Sequence, residues 1–251
     1  MIILYKPLGI TPYQAIIKLK EKNPELYEKK LSYAGRLDPM AEGLLLILVD
    51  DENKSRRQLE HFDKTYEFEA LLGFKSDTYD ILGLADRLSD NEVEDEEINN
   101  YVSKNTGKFI QKYPPFSAIK VDGKPLYWWA RQNIEVNPPE KEIEIKSFEA
   151  LERYEIDKKS LETAILSKIS LVKGDFRQGE IIKRWKDIFS KIPNEKKFSI
   201  YKFKLKCSRG GYIRGVVNEL GNYLGCGALA YSIKRVEIGE FTVKDAIYPF
   251  S

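Results

Sequence analysis

Six consecutive apolar residues, Leu44-Leu45-Leu46-Ile47-Leu48-Val49, follow Gly43 and leave no position for water to solvate. A run this short and this apolar reads as a buried strand or short core segment, and whatever the chain becomes must cover it. Just upstream, Asp38 sits between Leu37 and Pro39. A carboxylate at the entrance to such a core is either desolvated for chemistry or tied down as a cap and turn residue. Asp-Pro commonly opens turns, so on these residues alone the turn role is the plainer reading.

With 251 residues and 42% hydrophobic side chains, the chain has ample material for a packed core. Its net charge is only +2, from 41 Lys+Arg against 39 Asp+Glu, so any surface for a polyanion must be local. No apolar stretch approaches the roughly 20 residues of a membrane helix, and the Met-Ile-Ile-Leu-Tyr-Lys-Pro start lacks signal-peptide character. Cys207 and Cys226 supply neither a disulfide framework nor a zinc site, which makes a reducing cytoplasmic setting the expectation. The one histidine, His61, lies far from any nucleophile elbow, and neither Gly-x-Gly-x-x-Gly nor a P-loop occurs. An enzyme built from this chain is expected to need no metal or cofactor and to work with carboxylate, tyrosine, lysine or arginine.

Thr11-Pro12 opens a helix with Ile16, Ile17 and Leu19 at helical spacing. Tyr66 to Leu72 and Glu142 to Ile145 alternate as strands, and the acidic stretch from Asp86 to Glu97 leads into a surface helix. Tyr201 to Cys207 alternates too, placing Lys202, Lys204 and Lys206 on one side, where they either track phosphates or form a solvated face. Residues 213–224 read as a helix punctuated by Gly221 and Gly225. Residues 157–196 hold two helical patterns separated by Gly174 and Gly179, which reads as a helical hairpin between two strands. Its cations beside Trp185 either contact RNA or are solvated on a hairpin packed by Ile165, Ile169, Ile181, Ile182 and Ile188. The absence of regular βαβ alternation argues for an α+β fold with a mixed, largely antiparallel sheet flanked by helices.

Five blocks in order carry a family resemblance. They are Lys6-Pro7-Leu8-Gly9, Gly35-Arg36-Leu37-Asp38-Pro39-Met40-Ala41-Glu42-Gly43-Leu44-Leu45, and Tyr66 to Gly73 with Ser76 to Gly83. Pro114-Pro115-Phe116-Ser117-Ala118-Ile119-Lys120 and Cys207-Ser208-Arg209-Gly210-Gly211-Tyr212-Ile213-Arg214 complete the set. Together the blocks resemble the TruB family of tRNA pseudouridine synthases over nearly the whole chain apart from 157–196. The resemblance implies the pseudouridine synthase fold in one catalytic domain spanning 1–251. It implies isomerisation of uridine to pseudouridine in the T-arm stem-loop of tRNA, at position 55. The protein is expected to act as a cytoplasmic monomer, without metal or cofactor. Because the chain ends ten residues after Phe241, the small C-terminal RNA-binding PUA domain of many members is expected to be absent.

The resemblance also assigns roles. Asp38 is the reacting aspartate, whether it attacks C1′ or removes a proton from C2′. Arg214 pairs with it, Asp80 orients Arg214, and Tyr66 stacks on the extruded uracil and receives the C5 proton. Tyr212 and Lys6 are expected as pocket walls, with Lys202, Lys204, Lys206 and Arg209 leading RNA toward the site. Tyr33 stands five residues before Asp38, where the family usually has a histidine that orders the flipped loop. The alternatives are a synthase acting on ribosomal or other RNA, and a non-catalytic RNA-binding or RNA-folding protein.

Overall fold

In the computed structural model, which describes residues 1–249, the apolar run lies inside a strand that is buried on both faces. The chain begins with β1 (Ile2–Lys6), α1 (Pro12–Lys22), β2 (Leu31–Ala34), β3 (Ala41–Val49), α2 (Arg56–Glu60) and β4 (Lys64–Leu72). A short ribbon, β5 (Phe74–Ser76) with β6 (Ala85–Arg87), precedes α3 (Asp95–Lys104) and β7 (Gly107–Lys112). A second ribbon, β8 (Lys120–Val121) with β9 (Lys124–Pro125), is followed by α4 (Leu126–Arg131) and the long β10 (Glu140–Asp157). The chain then forms α5 (Lys158–Ser170), α6 (Gln178–Ser190), β11 (Lys197–Cys207), α7 (Ile213–Leu224), β12 (Ala228–Ile238) and β13 (Phe241–Thr242).

Nine of these strands form one sheet in the order β1-β3-β12-β4-β11-β10-β7, with β2 on β3 and β13 on β12. Every pairing is antiparallel except β3 with β12. This is the mixed, largely antiparallel α+β architecture expected from the sequence. β3 is apolar from Leu44 to Val49 because Leu45 and Ile47 pack with α1, while Leu44, Leu46 and Leu48 pack with Leu59, Phe62 and Ile238. Helix α1 starts where expected: Thr11 Oγ1 accepts from Gln14 N, Gln14 Oε1 accepts from Thr11 N, and Pro12 fills the first turn.

The two faces of the central strands differ. On one face, Tyr66, Phe68, Phe203 and Leu205 form a core with Ile98, Tyr101 and Val102 of α3 and Ile213, Val216 and Leu220 of α7. On the other, Leu71, Ile200 and Leu229 lie under the α5–α6 hairpin, with Leu161, Ile165, Ile169, Ile181, Trp185 and Phe189. The hairpin leaves the sheet where Asp157 pairs with Lys197, so its helices extend a β ladder, as expected for residues 157–196. Beyond the hairpin, that same face carries a row of alternating charge, Glu42, Lys234, Glu67, Lys204 and Glu149, in register on five adjacent strands.

Candidate active site

The loop between β2 and β3 presents Asp38. Ala41 N donates to Asp38 O at 3.0 Å, closing a tight turn, so Asp38 is a turn residue whose side chain is left to meet Arg214. Three further groups fix this loop. Gly9 N donates to Pro39 O at 2.8 Å, Arg235 donates to Arg36 O at 2.9 Å through one terminal nitrogen, and its Nε donates to Leu44 O at 2.8 Å. Gly43 permits this approach of β3 to β12: its φ is +112°, and a Cβ there would lie 2.2 Å from Arg235 O.

Arg214, in the first turn of α7, is only 3% exposed, yet its charge is fully answered. Nε donates to Asp38 Oδ2 at 2.7 Å, the terminal nitrogens donate to Thr78 O at 2.6 Å and Phe116 O at 3.3 Å, and Asp80 Oδ2 lies 3.7 Å from Nε. Burial works against the Arg214 charge, but Asp38 and Asp80 outweigh it and raise its pKa. Asp80 Oδ1 accepts from Thr78 Oγ1 at 2.6 Å and Leu82 N at 2.9 Å. Burial nevertheless pushes its carboxyl up to about 6, against the pull of Arg214.

These groups open into a cavity of about 800 Å³, within the range of small-ligand sites. Tyr66 of β4 and Tyr212 before α7 form part of its wall. Burial raises the pKa of both hydroxyls, to about 12 for Tyr212, while Arg235 beside Tyr66 opposes its shift. The Gln111 side chain bonds both backbone groups of Tyr212, at 2.9 Å each, and so sets the start of α7. Eight cations line the cavity against four acids, a local excess that the near-neutral chain conceals. Arg209 is one of them, held by Glu60 Oε2 at 2.8 Å and His61 Nε2 at 3.0 Å.

Residues 23–174 match the model of the TruB family pseudouridylate synthase (N terminal domain), more than half of the chain. The chain belongs to the TruB family. It is 32% identical over 250 residues to the tRNA pseudouridine synthase B of Endomicrobium trichonymphae, covering 98% of this chain and 88% of that protein. To the protein of the same name from Thermosipho melanesiensis it is 31% identical over 247 residues, covering 98% of this chain and 66% of the relative. Its fold is shared with a solved Cbf5-Nop10-Gar1 complex at a TM-score of 0.59 and 19% identity, over 96% of this chain and 49% of that one. An H/ACA RNP bound to a substrate RNA containing 2′-deoxyuridine gives 0.58 at 17% identity, over 98% of this chain and 50% of that one.

This TruB-family chain brings Asp38, Tyr66, Asp80, Arg209, Tyr212 and Arg214 together at or beside one cavity. Five expected residues lie elsewhere. Lys6 is fully buried, donating to Pro7 O at 2.9 Å and Ile10 O at 2.8 Å, so it braces the turn between β1 and α1 and does not line the cavity. Burial lowers its pKa to about 7, with Asp38 pulling the other way. Tyr33 packs beside α1 with Arg56 over its ring at 5.6 Å, away from the cavity. Lys202, Lys204 and Lys206 occupy the sheet face opposite Tyr66, with Glu69, Glu67 and Glu149 among their cross-strand neighbours. The cavity faces the apolar side of β11, because that side is the one α7 and α3 cover. Trp185 is also no stacking platform: it is 0% exposed, donates to Ile81 O at 3.0 Å and packs on Phe74 and Phe189. Arg235 and Gln111 escaped the sequence reading. Each is one polar residue among several in its strand, and only its buried partners reveal its role.

Proposed function

We propose that this protein isomerises uridine to pseudouridine in tRNA, with Asp38 as the reacting carboxylate and the T-arm uridine at position 55 as the target. The 2.7 Å pair between Asp38 and buried Arg214, opening into a cavity faced by Tyr66, carries the reading. Arg214 occupies Oδ2, leaving Oδ1 to meet the ribose of the bound uridine. The C1′–N1 bond breaks, the uracil turns, and C5 bonds to C1′. Arg214 then needs only to hold the carboxylate still, which its three other contacts allow. Tyr66 stacks on the extruded base, as an unpaired base requires. Its hydroxyl enters neutral, so it takes the C5 proton as its own passes to N1 of the turned uracil, which ends the reaction carrying one.

Arg36, Lys141 and Arg209 on the cavity wall suit the phosphates flanking a flipped nucleotide. All of the named groups come from one chain, which supports a monomer, and tRNA as substrate implies the cytoplasm. No described helix is long and apolar enough to cross a membrane. An RNA-binding protein without chemistry would have no use for a buried Asp80–Arg214 pair aimed at the half-exposed Asp38. The test is incubation with unmodified tRNA and mapping of pseudouridine at single-nucleotide resolution. One new pseudouridine at position 55 is expected. No conversion of any RNA would overturn the enzymatic reading, and conversion of ribosomal RNA alone would replace the substrate.

A further inference from the structure

Arg177 sits at the tip of the α5–α6 hairpin, on the cavity rim, in the left-handed conformation (φ 63°, ψ 24°) that side chains seldom adopt. One terminal nitrogen pairs with Asp77 Oδ2 at 2.8 Å, and its Cζ lies 4.4 Å from the centre of the Phe116 ring. These two partners belong to different loops, and each loop also serves Arg214. Thr78, next to Asp77, gives its carbonyl to one Arg214 nitrogen, and Phe116 gives its own to the other. Arg177 therefore ties, from outside, the two loops that receive Arg214 from inside.

The tip is itself anchored to the Asp38 loop. Lys173 N donates to Gly9 O at 2.8 Å, and Gly9 N donates to Pro39 O at 2.8 Å. The approach is tight enough that a Cβ on Gly9 would lie 2.4 Å from Leu171 O. On the far side, Arg131 of α4 donates to Asp175 O at 2.7 Å. The Asp38, Asp77–Asp80 and Phe116 segments are thus all referenced to one hairpin tip.

We propose that Arg177 is a positioning residue for the isomerisation: it clamps the Asp77 and Phe116 loops in the arrangement in which Arg214 meets Asp38. This rests on the proposed function. The backbone argues against a role in stability alone, because glycine would occupy this left-handed position with less strain. The arginine is kept at a conformational cost, and what it secures is the relation between two loops.

Arg177→Gly removes the side chain while leaving the backbone conformation easy, and Arg177→Lys keeps a charge for Asp77 but loses the planar face over Phe116. With saturating enzyme, single-turnover pseudouridine formation should fall by about tenfold or more in Arg177→Gly and by less in Arg177→Lys. The tRNA dissociation constant should stay within about threefold and the thermal midpoint should not fall. Amide exchange over residues 113–119 should quicken in Arg177→Gly without RNA present. Wild-type turnover and exchange in Arg177→Gly would overturn the clamp. A loss confined to affinity would make Arg177 an RNA contact instead, and a rate loss matched by a lower midpoint would make it structural. If the wild type converts no RNA, the proposed function fails, while the exchange measurement still decides the clamp.

Discussion

At Arg214 a planar fork meets two carboxylates and two carbonyls at once, and lysine cannot reproduce that set of contacts. Arg214→Lys should lower the single-turnover rate by about a hundredfold or more, and a near-normal rate would remove Arg214 from the site. Asp38→Asn should abolish pseudouridine formation while tRNA affinity stays within about tenfold, roughly 1.4 kcal/mol. Equal loss of binding and turnover would make Asp38 structural. Asp80 carries a pH dependence on the acid side. The two members of its ion pair are affected oppositely: the Arg214 charge is favoured in the fold and the Asp80 charge is not. Arg214 has Asp38 at 2.7 Å as its nearer partner, so the ionised Asp80, at 3.7 Å, is the costly member. Burial raises its carboxyl from 3.8 to about 6, so the folded protein binds this proton more tightly than the unfolded chain does. Its contribution to stability therefore grows as pH falls through about 6 toward 4, and at neutral pH the charge is a cost. Activity should move the other way, falling below pH about 6 as Arg214 loses one carboxylate. Asp80→Asn should slow the reaction and remove that acid limb. A pH–rate profile and a melting curve check both signs.

β11 and the hairpin show how an element can be legible while its role is not. The alternation from Tyr201 to Cys207 is a strand in the structure, and the lysines share one face as expected. Alternation defines two faces without saying which one holds the site, and here the lysines stand beside glutamates on the other. Replacing Lys202, Lys204 and Lys206 together by glutamine should leave tRNA affinity nearly unchanged. The same exchange at Arg36, Lys141 and Arg209, all on the cavity wall, should weaken it clearly. Equal effects in filter-binding titrations would put RNA on both faces. In the hairpin, Ile165, Ile169, Ile181 and Ile188 are buried as a packed pair of helices requires, and Trp185 joins them because its indole N–H finds Ile81 O. Trp185→Ala should therefore cost about 3–5 kcal/mol, measured by denaturant unfolding. Excision of residues 160–190 would uncover Leu71, Phe74 and Leu229 and is expected to give insoluble protein.

Over the whole molecule the charges nearly cancel, at +2, while the cavity gathers eight cations against four acids. Binding to tRNA should fall steeply with salt, with log K against log salt sloping by about −0.7 to −0.9 for each phosphate contacted. A flat dependence would contradict a phosphate-holding cavity. The near-neutral total hides this surface because the balancing acids lie elsewhere, six of them between Asp90 and Glu97. What the sequence by itself determined was local: the buried β3 from its unbroken apolar run, the capped α1 from Thr11 and Pro12, the helical pair from its spacing, and Asp38, Tyr66 and Arg214 from motif order. These follow from periodicity and short-range chemistry, which depend on residues a few positions apart. What only the tertiary structure decided was which side of each element meets which other. It buried Lys6 against the Pro7–Ile10 turn, turned Lys202, Lys204 and Lys206 away, buried Trp185, and brought Arg235 to Tyr66 and Arg177 to Phe116. Those outcomes are fixed by long-range strand pairing and by the partners that buried polar groups find across the fold, and neither condition is expressed within any one stretch of chain.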